Sequence, residues 1–109
     1  MRIAVATSNG IDVDHFGKAQ GFMIYEFDEK NMNFIEKRES PKIKGEKHQW
    51  QKSLDIIGDC EVVICVQAGL KGKFGINNAG IKLVEDEGSI EEVLKRFVNH
   101  YNFMKKPLF

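Results

Sequence analysis

Two short, almost unbroken apolar runs constrain this chain most: Ile3-Ala4-Val5-Ala6-Thr7 and Val62-Val63-Ile64-Cys65-Val66. Neither alternates apolar with polar residues. Runs of this length, bounded by turn residues, read as strands buried on both faces. Such strands sit inside a sheet that helices cover on each side, which makes the chain α/β.

The rest of the sequence fits around them. Gly21 opens a second strand, Phe22 to Asp28, with Phe22 and Ile24 on one face and Met23, Tyr25 and Phe27 on the other. A third strand, Asn33 to Glu39, is densely charged, as strands at a sheet edge tend to be. These three make an antiparallel meander. A helix is expected from about Glu46 to Gly58, with Trp50, Leu54 and Ile57 as its apolar stripe. A second helix, short and weakened by glycine, ends near Asn78-Ala79-Gly80, where Gly80 takes the left-handed cap. Ile81 to Glu85 is a fifth strand. Ser89 and Glu92 form a capping box for a last helix, whose stripe is Ile90, Val93, Leu94, Phe97, Val98 and Tyr101 and which Pro107 stops. The length suits one domain over residues 1–109.

The simplest arrangement sets the fourth strand parallel to the first, and the fifth follows by a right-handed crossover. The expected sheet is five-stranded and mixed, of order 3-2-1-4-5, with helices on its faces. Strands one and four then end side by side while their connections diverge. That is a switch point, where a crevice opens. One wall is the loop from Asn9 to Lys18, and the other runs from Gln67 to Gly75.

The crevice residues suit an anion that contains metal. His15 is a neutral-pH metal ligand or proton carrier. Lys18, Lys71 and Lys73 add positive charge, and Gly69, Gly72 and Gly75 permit close backbone approach near a helix start. Each feature also has a plainer reading: His15 as a turn residue with Asp14 capping a short helical turn over 15–20, and the glycines as makers of tight turns. From Lys37 to Lys47, five basic residues oppose two acidic ones, which describes either a solvated linker or a basic arm that closes on an anion. His48 opens the first long helix and is the candidate second ligand, whereas His100 falls beside a core stripe and reads as structural.

Several functions are disfavoured. The glycine spacing matches neither nucleotide-binding pattern. The first strand holds no carboxylate, which argues against a two-metal nuclease. Asp12 and Asp14 lack a partner for acid–base work, so no catalytic residue is assigned. With zero formal charge and a pI near 6.8, the chain does not read as a general nucleic-acid binder. No apolar run approaches the ~20 residues that span a bilayer. Met1-Arg2-Ile3 enters a strand at once, leaving no room for a signal peptide, so a cytoplasmic protein is expected. Cys60 and Cys65 would face opposite sides of a regular strand, unpaired and packed as small hydrophobes.

Three stretches carry a resemblance: Arg2 to Thr7, then Val13-Asp14-His15-Phe16-Gly17-Lys18-Ala19, then Phe22-Met23-Ile24-Tyr25. With Cys60 to Ile64, Gly69, and Gly80 to Val84, the chain resembles the dinitrogenase iron-molybdenum cofactor biosynthesis family, of the NifX, NafY and NifB C-terminal domain type. The resemblance implies a ribonuclease H-like fold without nuclease activity. It implies a carrier that transiently binds an iron-sulfur or iron-molybdenum-sulfur cluster and meets metallocluster biosynthesis or acceptor proteins. His15 then matches the cluster-binding histidine, as metal ligand, and Phe16 and Gly17 complete its motif. Lys18, Lys71 and Lys73, with free backbone amides along the stretch that holds Gly69 and Gly72, would complement the cluster's negative charge. An imidazole coordinates only when neutral, so acid should weaken binding. The alternative is a small anion- or protein-binding module without metal. A third class, a hydrolase using Asp12 or Asp14 with His15, would turn substrate over.

Overall fold

The computed structural model describes residues 1–47 and 49–105. Five strands form one sheet: β1 (Arg2–Thr7), β2 (Gly21–Phe27), β3 (Met32–Glu39), β4 (Val62–Cys65) and β5 (Lys82–Glu85). Helices α1 (Gln49–Ile56), α2 (Leu70–Asn78) and α3 (Ile90–Lys105) complete the described elements. The strand order is β3-β2-β1-β4-β5, as expected from connectivity. β1 pairs antiparallel with β2 and parallel with β4, with Val5 opposite both Met23 and Ile64. The meander therefore feeds directly into the parallel half.

The period-two pattern sorts the core into two layers. Ala4, Ala6, Phe22, Ile24, Val63 and Cys65 face α1 and α2, where Trp50, Leu54, Ile57 and Ile76 cover them. Ile3, Val5, Phe27, Val62 and Ile64 face α3, against Ile90, Val93, Leu94 and Phe97. The two apolar runs are buried up to the half-buried Val66 at the end of the second, because both layers need them. Ser89 and Glu92 start α3 by reciprocal bonds, each backbone N–H reaching the other's side-chain oxygen at 3.1 Å. Gly80 takes φ +75° at the end of α2. The Pro107 stop lies outside the described residues.

Three expectations change in detail. First, α1 begins three residues later than its periodicity suggests. Gly45, at φ +85°, makes a turn, and the Gln49 side chain folds back onto the Ile43 N–H and the Glu46 carbonyl, which ends that turn where the helix starts. Second, Cys60 lies in the turn before β4, its N–H bonded to the Ile57 carbonyl at 2.9 Å. The strand does not run through it, so Cys60 and Cys65 share one core layer instead of opposite faces. Both are free thiols, and burial pushes Cys60 up to about 11 and Cys65 up to about 12. Third, His100 is exposed on α3 instead of packed beside its stripe.

Arg38 locks the charged edge strand to the body. It grips Asp59 with both terminal guanidinium nitrogens and donates to the Ile56 carbonyl at 2.8 Å, while Arg2 reaches the same carboxylate at 2.7 Å. The hydrogen bonds from Arg38, supported by Arg2, hold Asp59 well below the usual carboxylate range. A depressed folded-state value stabilises the protein above the unfolded pKa, roughly 3.9, and that contribution is lost as pH falls further. The wild-type melting temperature is therefore expected to fall as pH drops below about 4. Asp59→Asn should melt lower at neutral pH and show a shallower acid slope. Parallel slopes in the two proteins would show that this carboxylate does not set the acid limit.

Candidate functional site at the switch point

Beyond β1 the chain makes a tight turn held by short polar side chains. The Asn9 amide oxygen accepts the N–H groups of Ile11 and Asp12, each at 2.8 Å. The Thr7 hydroxyl donates to the Asp12 carbonyl at 2.6 Å and accepts from the Gly10 N–H. Ile11 to Val13 then runs along the entry to α3: Val13 N–H reaches the Gly88 carbonyl at 3.0 Å, and Ile90 N–H reaches the Ile11 carbonyl at 2.8 Å. Asp12 spends its carboxylate on the Asn9 amide in this turn.

The next residues are tied to the exit from β4. Val66 N–H donates to the Asp14 carbonyl and Phe16 N–H donates to the Gln67 carbonyl, both at 3.0 Å. The two loops expected to face each other are thus directly hydrogen-bonded. His15 stands between those anchors. Its carbonyl accepts the Ala19 N–H at 2.9 Å, closing a single turn, and its side chain is 46% exposed. Asp14 does not cap that turn in the usual way, because the Phe16 N–H it would serve is already bonded to Gln67. Its carboxylate instead accepts the Ser8 hydroxyl and the His15 N–H, the latter at 2.7 Å, and lies 3.4 Å from His15 Nδ1. Partial burial pushes Asp14 up, but the bonds from Ser8 and His15 outweigh it and leave the carboxyl below its ordinary range. An anionic carboxylate beside Nδ1 favours the tautomer whose Nε2 carries the free lone pair, which is how metal-binding histidines are commonly oriented.

A groove of about 540 Å³ opens beside this turn. Phe16, Gly17 and Lys18 form one wall, and Gly69, Lys71 and Gly72 at the start of α2 form another. His15 is not among the lining residues; it precedes them at the exposed turn. Phe16 contributes only an edge, since its ring is 1% exposed and packs 6.0 Å from Phe22. Two of the three glycines are small for packing. A Cβ on Gly72 would lie 3.3 Å from the Phe16 ring, and one on Gly75 would lie 2.8 Å from Trp50 Cζ3. Gly17 and Gly69 face open space. Lys73 turns away from the groove, 3.5 Å from Glu85.

Sequence reasoning missed the third wall, Gln49 and Trp50 of α1 with Glu46 just before them, a carboxylate that Lys52 engages at 2.7 Å. Trp50 is both a core anchor and a groove residue. Its Nε1 is buried with no hydrogen-bond partner among the described residues. No local signal marked it, because a helix stripe looks the same with or without a groove beside it. The basic linker is a strap and not a free arm. Lys42 Nζ donates to the Ala19 and Ser40 carbonyls and the Ser40 hydroxyl at 2.6–2.9 Å, and burial, with Lys52 nearby, pushes the amine down to about 8. His48 lies outside the described residues. Among those residues, no three His, Cys, Asp or Glu side chains converge on a common metal position.

A family model described as dinitrogenase iron-molybdenum cofactor matches residues 1–100. The FeMo cofactor biosynthesis protein NifB of Chlorobaculum tepidum is 32% identical over 95 residues, which is 84% of this chain but 22% of that protein. The chain thus spans about a fifth of that relative. Among solved structures, PH0822 aligns with a TM-score of 0.76 at 22% identity, over 92% of each chain. The apo form of the orange protein from Desulfovibrio gigas aligns with a TM-score of 0.75 at 21% identity, over 91% of this chain and 88% of that one. These two likenesses establish the shared fold.

Proposed function

This chain belongs to the dinitrogenase iron-molybdenum cofactor family, and from that premise we propose that it is a non-catalytic, cytoplasmic carrier of an iron-sulfur or iron-molybdenum-sulfur cluster. The cluster is cargo, passed to or from metallocluster biosynthesis proteins. The strand order and the helices on both faces support reading the fold as ribonuclease H-like. One observation carries the functional reading: the hydrogen bonds Phe16–Gln67 and Val66–Asp14 hold an exposed imidazole beside a groove that Lys18, Lys71 and open glycine backbone line. His15 supplies the metal ligand. Lys18 and Lys71 offset the negative charge of the body, and Gly17 and Gly69 let it approach the main chain. Phe16 and Gly72 hold the two walls in place.

The test is anaerobic reconstitution with iron and sulfide, or with iron-molybdenum cofactor, followed by metal analysis and visible absorption. Trp50 is the single tryptophan and lines the groove, so quenching of its emission gives a third readout. His15→Ala should lose most of the bound metal. Asp14→Asn should weaken retention by about tenfold to a hundredfold, the usual effect of removing a carboxylate that orients a ligating histidine. Equal retention by wild type and His15→Ala would remove the imidazole from the site. A second reading draws on the two lysines beside the start of α2: a site for a simple anion without metal. It predicts binding that survives His15→Ala and fades with salt.

A further inference from the structure

Helix α2 is turned inside out. A helix on a protein surface normally points its large apolar residues at the core. Here the core side is Gly72, Gly75 and Ile76, and the helix lies so close to Trp50 and Phe16 that a Cβ at Gly75 would meet the indole at 2.8 Å and one at Gly72 would press on the phenyl ring at 3.3 Å. Its bulky apolar side chains, Leu70 and Phe74, point outward and are 86% and 68% exposed. Four residues apart, they form one stripe. Between them and β5 lies a recess of about 510 Å³, floored by Ile76, Ile81 and Leu83. Leu70 borders both this recess and the groove, so the two surfaces are continuous.

The charge around the stripe has one sign. α2 contains Lys71 and Lys73 and no carboxylate, and Lys82 is exposed on β5 beside the recess. The carboxylate of Glu85 is engaged by Lys73 and the Ala68 N–H. A second copy of the chain would set these lysines against their own images, which costs affinity. A lipid surface would meet only two protruding apolar side chains over a concave floor, whereas interfacial segments bury a broad apolar face.

We propose that the α2–β5 surface docks an acidic, amphipathic segment of a partner protein, whose apolar side chains fill the recess and whose carboxylates meet Lys71 and Lys82. The docking stands on the surface alone; its use for handing over a cluster rests on the carrier reading above.

The test titrates isotope-labelled protein with a synthetic helical peptide bearing Leu and Phe on one face and Glu along its flanks. Backbone amide shifts should concentrate at residues 70–77 and 81–83. Binding should weaken at least tenfold for Phe74→Ser, for the same peptide with Lys in place of Glu, and on adding salt. Phe74 lies outside the groove, so Phe74→Ser should retain cluster like the wild type, and docking and carrying then fail separately. The proposal is overturned by scattered or absent shifts, by equal binding of the Lys peptide, or by an unaffected Phe74→Ser. It is equally overturned if Phe74→Ser abolishes instead a dimer seen by sedimentation, or binding to phosphatidylglycerol vesicles.

Discussion

Phe16→Ala is expected to cost about 3–5 kcal/mol of unfolding free energy, the usual range for emptying a buried aromatic site. Total stability of a domain this size is about 5–15 kcal/mol, so the variant should sit near its unfolding limit. The ring fills the junction of three elements. It packs on Phe22, the start of α2 presses on it at Gly72, and the Phe16 carbonyl accepts the buried Ser53 hydroxyl of α1 at 3.0 Å. Urea unfolding followed by circular dichroism measures the loss. A change below about 1 kcal/mol would mean that the ring is not a core residue. Because Phe16 stands next to His15, cluster loss in Phe16→Ala would report collapse of the groove and not removal of a ligand. Phe16→Leu, which keeps most of the volume, separates the two.

Gly75→Leu should be the next most damaging change described here. Even a first carbon at this position would lie 2.8 Å from Trp50 Cζ3 and 3.2 Å from Leu54 Cδ2, so a full leucine must push α2 off α1. Overpacking of this kind costs about 1–3 kcal/mol, or more where helices are forced apart, and it outweighs the roughly 1 kcal/mol that a helix gains on losing a glycine. The single tryptophan should report it as a red-shifted emission with a lower melting temperature. Gly69→Ala is the matched control. It has φ −66° and open space around it, so the expected cost is only the N-cap preference for glycine over alanine, within about 1 kcal/mol. If a ligand approaches the backbone there, Gly69→Ala should lose binding alone. Unchanged emission in Gly75→Leu would contradict the close approach of the two helices.

The contrast between Gly69 and Gly75 shows where the sequence was readable. Their spacing is visible in the chain and reads equally well as an anion cradle or as tight turns. Only the packing separates them: one glycine faces open space and the other faces an indole. Strand order was legible because the two apolar runs demand coverage on both faces and the connections have a handed preference. The facing of the loops at His15 and Gln67 follows from that order alone. The Trp50 wall, the strap at Lys42 and the direction of Lys73 depend on tertiary approach between distant segments, which no local pattern encodes. Strand alternation assigns Cys60 to the wrong face for a related reason: the turn at Cys60 interrupts that alternation.

The two sulfur atoms carry a last consequence. Cys60 and Cys65 lie in the interior, and burial pushes their thiols up to about 11 and about 12, so neither sulfur is presented at the surface. A body of iron and sulfide resting against His15 would be ligated without cysteine, by one imidazole and a basic surround. Iron in such bodies favours thiolate over nitrogen donors. On the carrier reading proposed above, a recipient presenting deprotonated cysteines would take such a body by ligand exchange.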